Sequence, residues 1–588
     1  TELFSVLIAG GAPVRLNDPL PAGGNVADFT LSPLATGTRV VFRADQRANE
    51  LFDLVATPLG GGPRQILNAS TAVAGDVTDY AITPDGATVI FLADASVDGR
   101  FELWSSSLND PDTPRRLNDD LAPGGSVLAF RLGPDSRRVV YRADQDGDGL
   151  AELFSVPPTG GDVTRLNGAL AAGGVGAFQL SPDGRSVVFL GAETRGGVTD
   201  LYSAAIAGGT PPTRLTNLPA GGAIGAFAFS PDSARVVFLA AERAAGTSDL
   251  FSVPVAGGAT MSLNPPLAPG GNVTAFAIAP GGDRVAYIAD QASDEAFELF
   301  SVPLLGGPAV RVSAPARPGA GVLSGAQCSG QRSPWELGEP AELAPLLISP
   351  DGRFVLYCAD QETPGVPELY SAPMAGDGPA VRLNSPPGPG GGVTRFAINP
   401  DATSVVVLVR VVLAGGPQDQ LFSAPIAGGK LPRRLDLPRW DGSAITQFAL
   451  TPRGDRIVYR GAQEQPGVVE LFSVHLSGGV PVRRSGPLAP GGKVGPFSIT
   501  ARGDRIVFLA DRQASGANEL FANLVSGPSS PVLLSGSLVP RGAVRSFAVR
   551  PRGDLVVYQA DQETAGVEEV FAAPLTAPVV IFAPLLHR

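Results

Sequence analysis

Histidine, cysteine, lysine and methionine occur twice each in 588 residues, and tryptophan three times. With only His475 and His587, histidine-rich metal centres and most imidazole catalysis are excluded. Two cysteines, Cys328 and Cys358, leave no zinc-finger cluster or haem-attachment motif. No run approaches the roughly 20 apolar residues of a membrane helix. The best candidate, Val405 to Leu413, is short and broken by Arg410. GxSxG elbows, Walker loops and HExxH motifs are all missing. The net charge of −12 gives no basic footprint for nucleic acid. Arginine carries nearly all the positive charge, which reads as the codon bias of a GC-rich bacterium. No signal peptide is visible, although a chain that opens on Thr1 fits a leader already removed.

What the chain has in abundance is glycine, 74 residues, and proline, 56, alongside 44% hydrophobic residues and a mean hydropathy of +0.15. Disorder needs low hydrophobicity, so this mixture points to short apolar strands divided by tight turns. A motif close to Glu-Leu-Phe-Ser-Val returns about every fifty residues. Its first residue falls at Glu2, Glu50, Glu102, Glu152, Asp200, Asp249, Glu298, Glu368, Gln420, Glu470, Glu519 and Glu569. Such a period marks repeated supersecondary units stacked side by side. Residues 270–313 show one unit as four strands: Gly271 to Ile278, Asp283 to Asp290, Glu298 to Pro303 and Ala309 to Ser313. No segment carries a helical period. The expected fold is all-β, a β-propeller of four-stranded antiparallel blades. The aromatic of the first strand recurs at Phe29, Tyr80, Phe130, Phe178, Phe227, Phe276, Phe396, Phe448, Phe497 and Phe547, with Leu346 as the exception. These side chains are expected to pack neighbouring blades together.

Ser181-Pro182-Asp183-Gly184 followed by Arg185-Ser-Val-Val-Phe, with Ser349 to Gly352 and Thr83 to Gly86 repeating the turn, resembles the repeats of TolB-type (WD40-like, PD40) propellers. Ser230 to Ser233 and Asn399 to Ala402 are near variants. The resemblance spans the chain and implies the fold. It implies no single function, because such propellers serve as binding platforms, scaffolds and enzyme-associated gates.

Eleven first-and-second strand pairs stand against twelve third-and-fourth pairs. The expectation is therefore about twelve blades in one continuous array, with residues 1–17 a half blade, 18–313 six blades and 314–588 five. The missing strands would lie upstream. Alternatively, the two N-terminal strands add to the C-terminal blade or to another subunit's edge. The ordinary connection around Ser262 to Gly271 favours one large ring over two six-bladed propellers.

One interval, from Glu298 to Glu368, is some twenty residues longer than the rest, with the surplus at about 321–340. The connection into strand one and the end of strand two share a face, so Cys328 and Cys358 are expected to form a disulfide, which implies an oxidising compartment. Trp335, within the insertion, is the candidate binding anchor, weighed against an insertion that merely packs on its own blade.

Asp144, Asp146, Asp148 and Glu152 resemble the start of a calcium loop, but Ser155 stands where the bidentate Glu belongs. Calcium at this site is thus one reading, and hairpin acids that brace backbone amides, as also at Asp45/Glu50, Asp290/Glu298 and Asp360/Glu368, are the other. Three Arg-Gly-Asp triplets, at 453–455, 502–504 and 552–554, occupy the Pro-Asp-Gly turn position and read as turn variants. The fourth-strand arginines, such as Arg15, Arg116, Arg165 and Arg382, read as edge charges against sheet-to-sheet pairing.

The functional expectation is a non-enzymatic, extracellular or periplasmic bacterial scaffold for protein partners, with possible association to the cell envelope and no cofactor. The alternative is a propeller binding carbohydrate or another small ligand in its central opening, conceivably with calcium.

Overall fold

The computed structural model describes residues 4–5, 14–21, 24–33, 37–68, 75–109, 114–146, 149–169, 174–192, 198–241, 247–316, 320–323, 328–331, 343–414, 416–437, 444–535, 538–540, 542–550, 553, 555–560 and 569–574. Nine four-stranded antiparallel sheets, one six-stranded sheet and one three-stranded sheet make eleven blades, each in strand order one to four where all four are described. Blade 1 spans 26–66, blade 2 77–116, blade 3 126–165, blade 4 175–214, blade 5 224–262, blade 6 273–311, blade 7 320–382, blade 8 392–434, blade 9 445–483, blade 10 494–533 and blade 11 544–574. A twelfth, two-stranded sheet joins Phe4–Ser5 to Val14–Arg15.

Within a blade the second and third strands are apolar on both faces, as a sheet sandwiched between two others must be. In blade 6 these are Arg284–Ala289 and Glu298–Pro303, buried along almost their whole length. Aromatics line up across the three inner strands: Phe276 opposes Tyr287, which opposes Phe300. The Tyr287 and Phe300 rings stack at 5.3 Å. Such cross-strand pairs stabilise sheets by side-chain contact. The first-strand aromatics also reach the neighbouring sheet, since Phe130 of blade 3 shares a core with Ile90 and Leu103 of blade 2. The Pro-Asp-Gly turns close on themselves, with Ser181 Oγ donating to Asp183 and accepting from Ser186 N.

Each pair of successive blades shares one such core, and the series does not stop at blade 11. Leu555 and Val557 of blade 11 pack with Val26, Val40 and Phe42 of blade 1. A hydrogen bond of the ordinary inter-blade kind seals the same joint. Arg43 and Arg142, near the end of the second strand, donate to the first-strand carbonyls of Val77 and Val175 in the following blade. Gln559, at the equivalent place in blade 11, donates to Val26 O at 2.7 Å. Eleven blades therefore form one closed ring. The two N-terminal strands lie against the third strand of blade 11, Glu569–Pro574, so the first and last described strands meet at one blade.

Two sequence assignments change. In blade 1 the repeat motif starts at Asp53, which opposes Ala44 as Glu102 opposes Ala93. Glu50 instead sits in the hairpin with a φ of 64°; its Glu-Leu-Phe imitates the motif three residues too early. The insertion does not precede the first strand of blade 7 but interrupts it. Val322 bridges Ala359, as Val273 opposes Ala289 in blade 6, and Leu346 then opposes Tyr357 as Phe276 opposes Tyr287. In the other ten blades this point carries a β-bulge, for example between Val273 and Ala275. A bulge already breaks the ladder, so extra residues leave the chain there at little cost.

Candidate functional site

Most polar side chains inside the blades are engaged by the framework. Asp290 accepts from Asn272 N and, at 3.0 Å, from Glu295 N; Asp45 and Asp360 do the same in blades 1 and 7. The hairpin Asp thus braces amides, as the sequence suggested. The first residue of the motif does something else. Glu102, Glu298, Glu368 and Glu470 ion-pair with Arg116, Arg311, Arg382 and Arg483 at 3.0–3.2 Å. Glu152 pairs with Arg165, and Asp200 with Arg214. The fourth-strand arginine is therefore an internal partner of a buried carboxylate rather than a free edge charge; the side chain of Arg15 lies outside the described residues. The spacing of acid and arginine, 13 or 14 residues in each of these six blades, was the signal available in the sequence. In the neighbouring Arg-Leu-Asn, the asparagine caps the third strand: Asn118 and Asn167 Oδ1 accept from Leu103 and Leu153 N at 2.7 Å.

Burial pushes the Glu368 and Glu470 carboxyls above the usual range, although a hydrogen bond from Tyr370 and the charge of Arg382 oppose this at Glu368. Desolvation disfavours the ionised form, and the arginines offset only part of it. In the exposed turns the opposite holds. The hydroxyls of Ser181 and Ser230 and neighbouring amides hold Asp183 and Asp232 below the ordinary range.

The structure does not assemble the four calcium candidates into a described site. Asp144 accepts from Gly149 N at 3.0 Å, Glu152 pairs with Arg165, Asp146 is exposed, and Asp148 lies outside the described residues. Among the described residues no group of three His, Cys, Asp or Glu side chains is placed to hold a metal ion. Two of the Arg-Gly-Asp triplets are turns, with Asp455 and Asp504 accepting from Thr451 and Thr500 Oγ1 at 2.8 Å. The third falls partly outside the described residues.

The departures from the framework gather at blades 7 and 8. Cys328 and Cys358 form a disulfide with Cα atoms 6.1 Å apart, inside the core shared by the two blades. Immediately after Cys328, Ser329–Gln331 pairs in parallel with the first strand of blade 8, Ser329 opposite Arg395 and Gly330 opposite Phe396. Leu343–Ala344 pairs with it in turn, making the blade 8 sheet six-stranded. The second and third strands of this blade, Ser404–Leu413 and Gly416–Pro425, run to ten residues each. The added length forms a ribbon held by Arg410 Nε to Asp419 at 2.9 Å, with Val412 and Leu413 half-exposed near its tip. In antiparallel blades the end of strand two and the start of strand one share a face, so the ribbon projects on the side where first strands begin, whereas Ser329–Gln331, parallel to the first strand of blade 8, runs from that side towards the other. Trp335 belongs to this insertion but lies outside the described residues. Sequence reasoning reached the insertion and the cysteine pair but missed the ribbon, whose Val405 to Leu413 run was considered only as a membrane segment.

No known protein family matches the chain, and no curated relative does either. Solved structures that resemble it include a TolB-assigned protein from Agrobacterium tumefaciens, at 21% identity over 41% of this chain and 81% of that one, TM-score 0.25. Others are a eukaryotic initiation factor, 9% identical over 78% and 96%, TM-score 0.39, and an oligogalacturonate lyase in complex with manganese, 15% identical over 68% and 96%, TM-score 0.29. At these scores the likenesses carry no functional argument. Among the described residues no helix is long and apolar enough to cross a membrane.

Proposed function

We propose that the chain is a non-catalytic, TolB-like propeller of the bacterial cell surface or periplasm, and that it acts as a protein-interaction scaffold through the ribbon face of blades 7 and 8. One observation carries this reading. Blade 8 is enlarged at two places, by the strand pair of the insertion and by the projecting ribbon, and neither is needed to continue the ring. Specific binding commonly sits on loops held by a rigid scaffold, and half-exposed Val412 and Leu413 offer apolar contact there. The disulfide suits an oxidising compartment. The framework's acids are engaged by arginines and backbone amides, which favours scaffolding over carboxylate chemistry.

The test is affinity capture from a bacterial envelope fraction, followed by reconstitution with each purified candidate. The intact chain is compared with a variant whose ribbon tip, residues 412–417, is replaced by Asn-Gly. A partner that binds the intact chain and loses the variant supports the reading. Equal binding to both, or glycan-array binding without any protein partner, overturns it.

A further inference from the structure

We propose that the opposite face of the ring, at blades 8 to 10, carries a second docking surface, for an acidic polypeptide segment that also bears aliphatic side chains. The argument starts in the turns between first and second strands. In blades 2, 4 and 7 the hydroxyl of Thr83, Ser181 or Ser349 donates to an Asp two residues later. In blades 9 and 10 that acceptor has moved to the fourth residue after the threonine, Asp455 or Asp504. The turn keeps its internal hydrogen bond, and its tip, vacated by the carboxylate, now holds Arg453 or Arg502. Both arginines are exposed, and among the described residues neither side chain has a hydrogen-bond or ion-pair partner. This contrasts with the arginines of the fourth strands, which neutralise buried acids.

Turns from the third to the fourth strand lie on the same face, and Leu476 N donates to Asp455 O at 2.8 Å to join the two kinds of turn in blade 9. These turns present Leu431 and Val480, 91% and 79% exposed, the two most exposed large hydrophobics among the described residues. Lys430, one of only two lysines, stands beside Leu431. Successive tips touch: a Cβ at Gly503 would meet Pro452 Cδ at 3.1 Å. Cations and aliphatic side chains therefore lie on one face across blades 8 to 10 of a molecule whose net charge is −12.

That combination selects the occupant. Carboxylates would pair with the free guanidinium groups, and aliphatic side chains would cover Leu431 and Val480. A polyanionic glycan offers those two residues nothing. A bilayer interface is disfavoured because these tips lack the aromatic anchors of membrane surfaces.

The probe is a synthetic peptide of alternating Glu and Leu, titrated onto the full chain by fluorescence anisotropy, with a Gln and Leu peptide, a heparin oligosaccharide and phosphatidylserine vesicles in parallel. The Glu and Leu peptide is expected to bind, more weakly as salt rises. The double variant Arg453→Glu, Arg502→Glu should lose about tenfold or more in affinity, and Leu431→Ser, Val480→Ser about threefold or more. All four side chains are exposed, so unchanged melting temperatures would show intact folds. No binding by the native chain, undiminished binding by the arginine double variant, or tighter binding of the oligosaccharide or the vesicles would overturn the proposal.

Discussion

Blade 6 and blade 8 are built from the same parts and use them differently. In blade 6 the hairpin is short, its Asp290 braces two amides, and Glu298 pairs with Arg311. In blade 8 the motif position is Gln420, the hairpin becomes a ribbon that extends two ten-residue strands, and the first-strand edge is covered by a segment from the preceding blade. The ring tolerates both because the joint between blades depends on the apolar faces of strands two and three, which are alike in each. What varies lies outside that joint, at a strand edge or a loop. Function is thereby free to change at one blade without unbalancing the others.

The largest expected effect breaks the joint itself. Tyr287→Ala in blade 6 removes a fully buried ring that stacks on Phe300 and should cost about 4 kcal/mol in denaturant unfolding. If the loss stays below about 1 kcal/mol, blade joints do not carry the stability assigned to them. Cys328→Ser should come next, at about 3 kcal/mol from the released loop. Hydrogen exchange should then quicken at 328–331 and 392–398 while blade 6 stays protected. Uniform quickening would mean that the tether serves the whole ring rather than blades 7 and 8.

Arg382→Ala, which leaves the buried Glu368 without its cation, should cost about 2 kcal/mol. The acids themselves separate by pH. The Glu368 carboxyl is raised by burial, so its contribution is present below the ordinary Glu range and lost as pH rises through the raised value. Glu368→Gln should therefore gain on the wild type in melting temperature as pH climbs from about 4 to 7. Asp183 is depressed, so its contribution holds above the ordinary Asp range and fades on acidification. Asp183→Ala should converge with the wild type in acid. Reversed trends at either position would show that the buried and exposed acids are not set apart by solvation. The smallest effect on stability is expected for replacing ribbon-tip residues 412–417 with Asn-Gly: within about 0.5 kcal/mol, because the tip extends past the blade core.

Legibility in the sequence followed locality. The strands of blade 6 were placed within one or two residues because each is bounded by its own turn signal. The pairing of Cys328 with Cys358 followed from both lying at one end of a blade. By contrast, Glu50 was misread because a local Glu-Leu-Phe copies the motif while only the ladder, Asp53 opposite Ala44, fixes the register. The insertion was seen by its length, yet its exit from inside the first strand appears only once Val322 is found bridging Ala359. Calcium at Asp144 was a reading of spacing alone, and spacing did not reveal that Arg165 engages Glu152.

The sequence by itself determined the blade: its four strands, its turns, its aromatic ladder and the place of its one long departure. A blade closes through hydrogen bonds and side-chain contacts between residues within one repeat, so the repeat encodes it. Tertiary structure alone decided that eleven blades close, through Gln559 and Val26 at opposite ends of the chain. It also decided that the insertion of blade 7 pairs with blade 8. Closure depends on the rotation accumulated over every joint, and strand addition depends on which open edge lies within reach. Neither quantity is written in any single repeat.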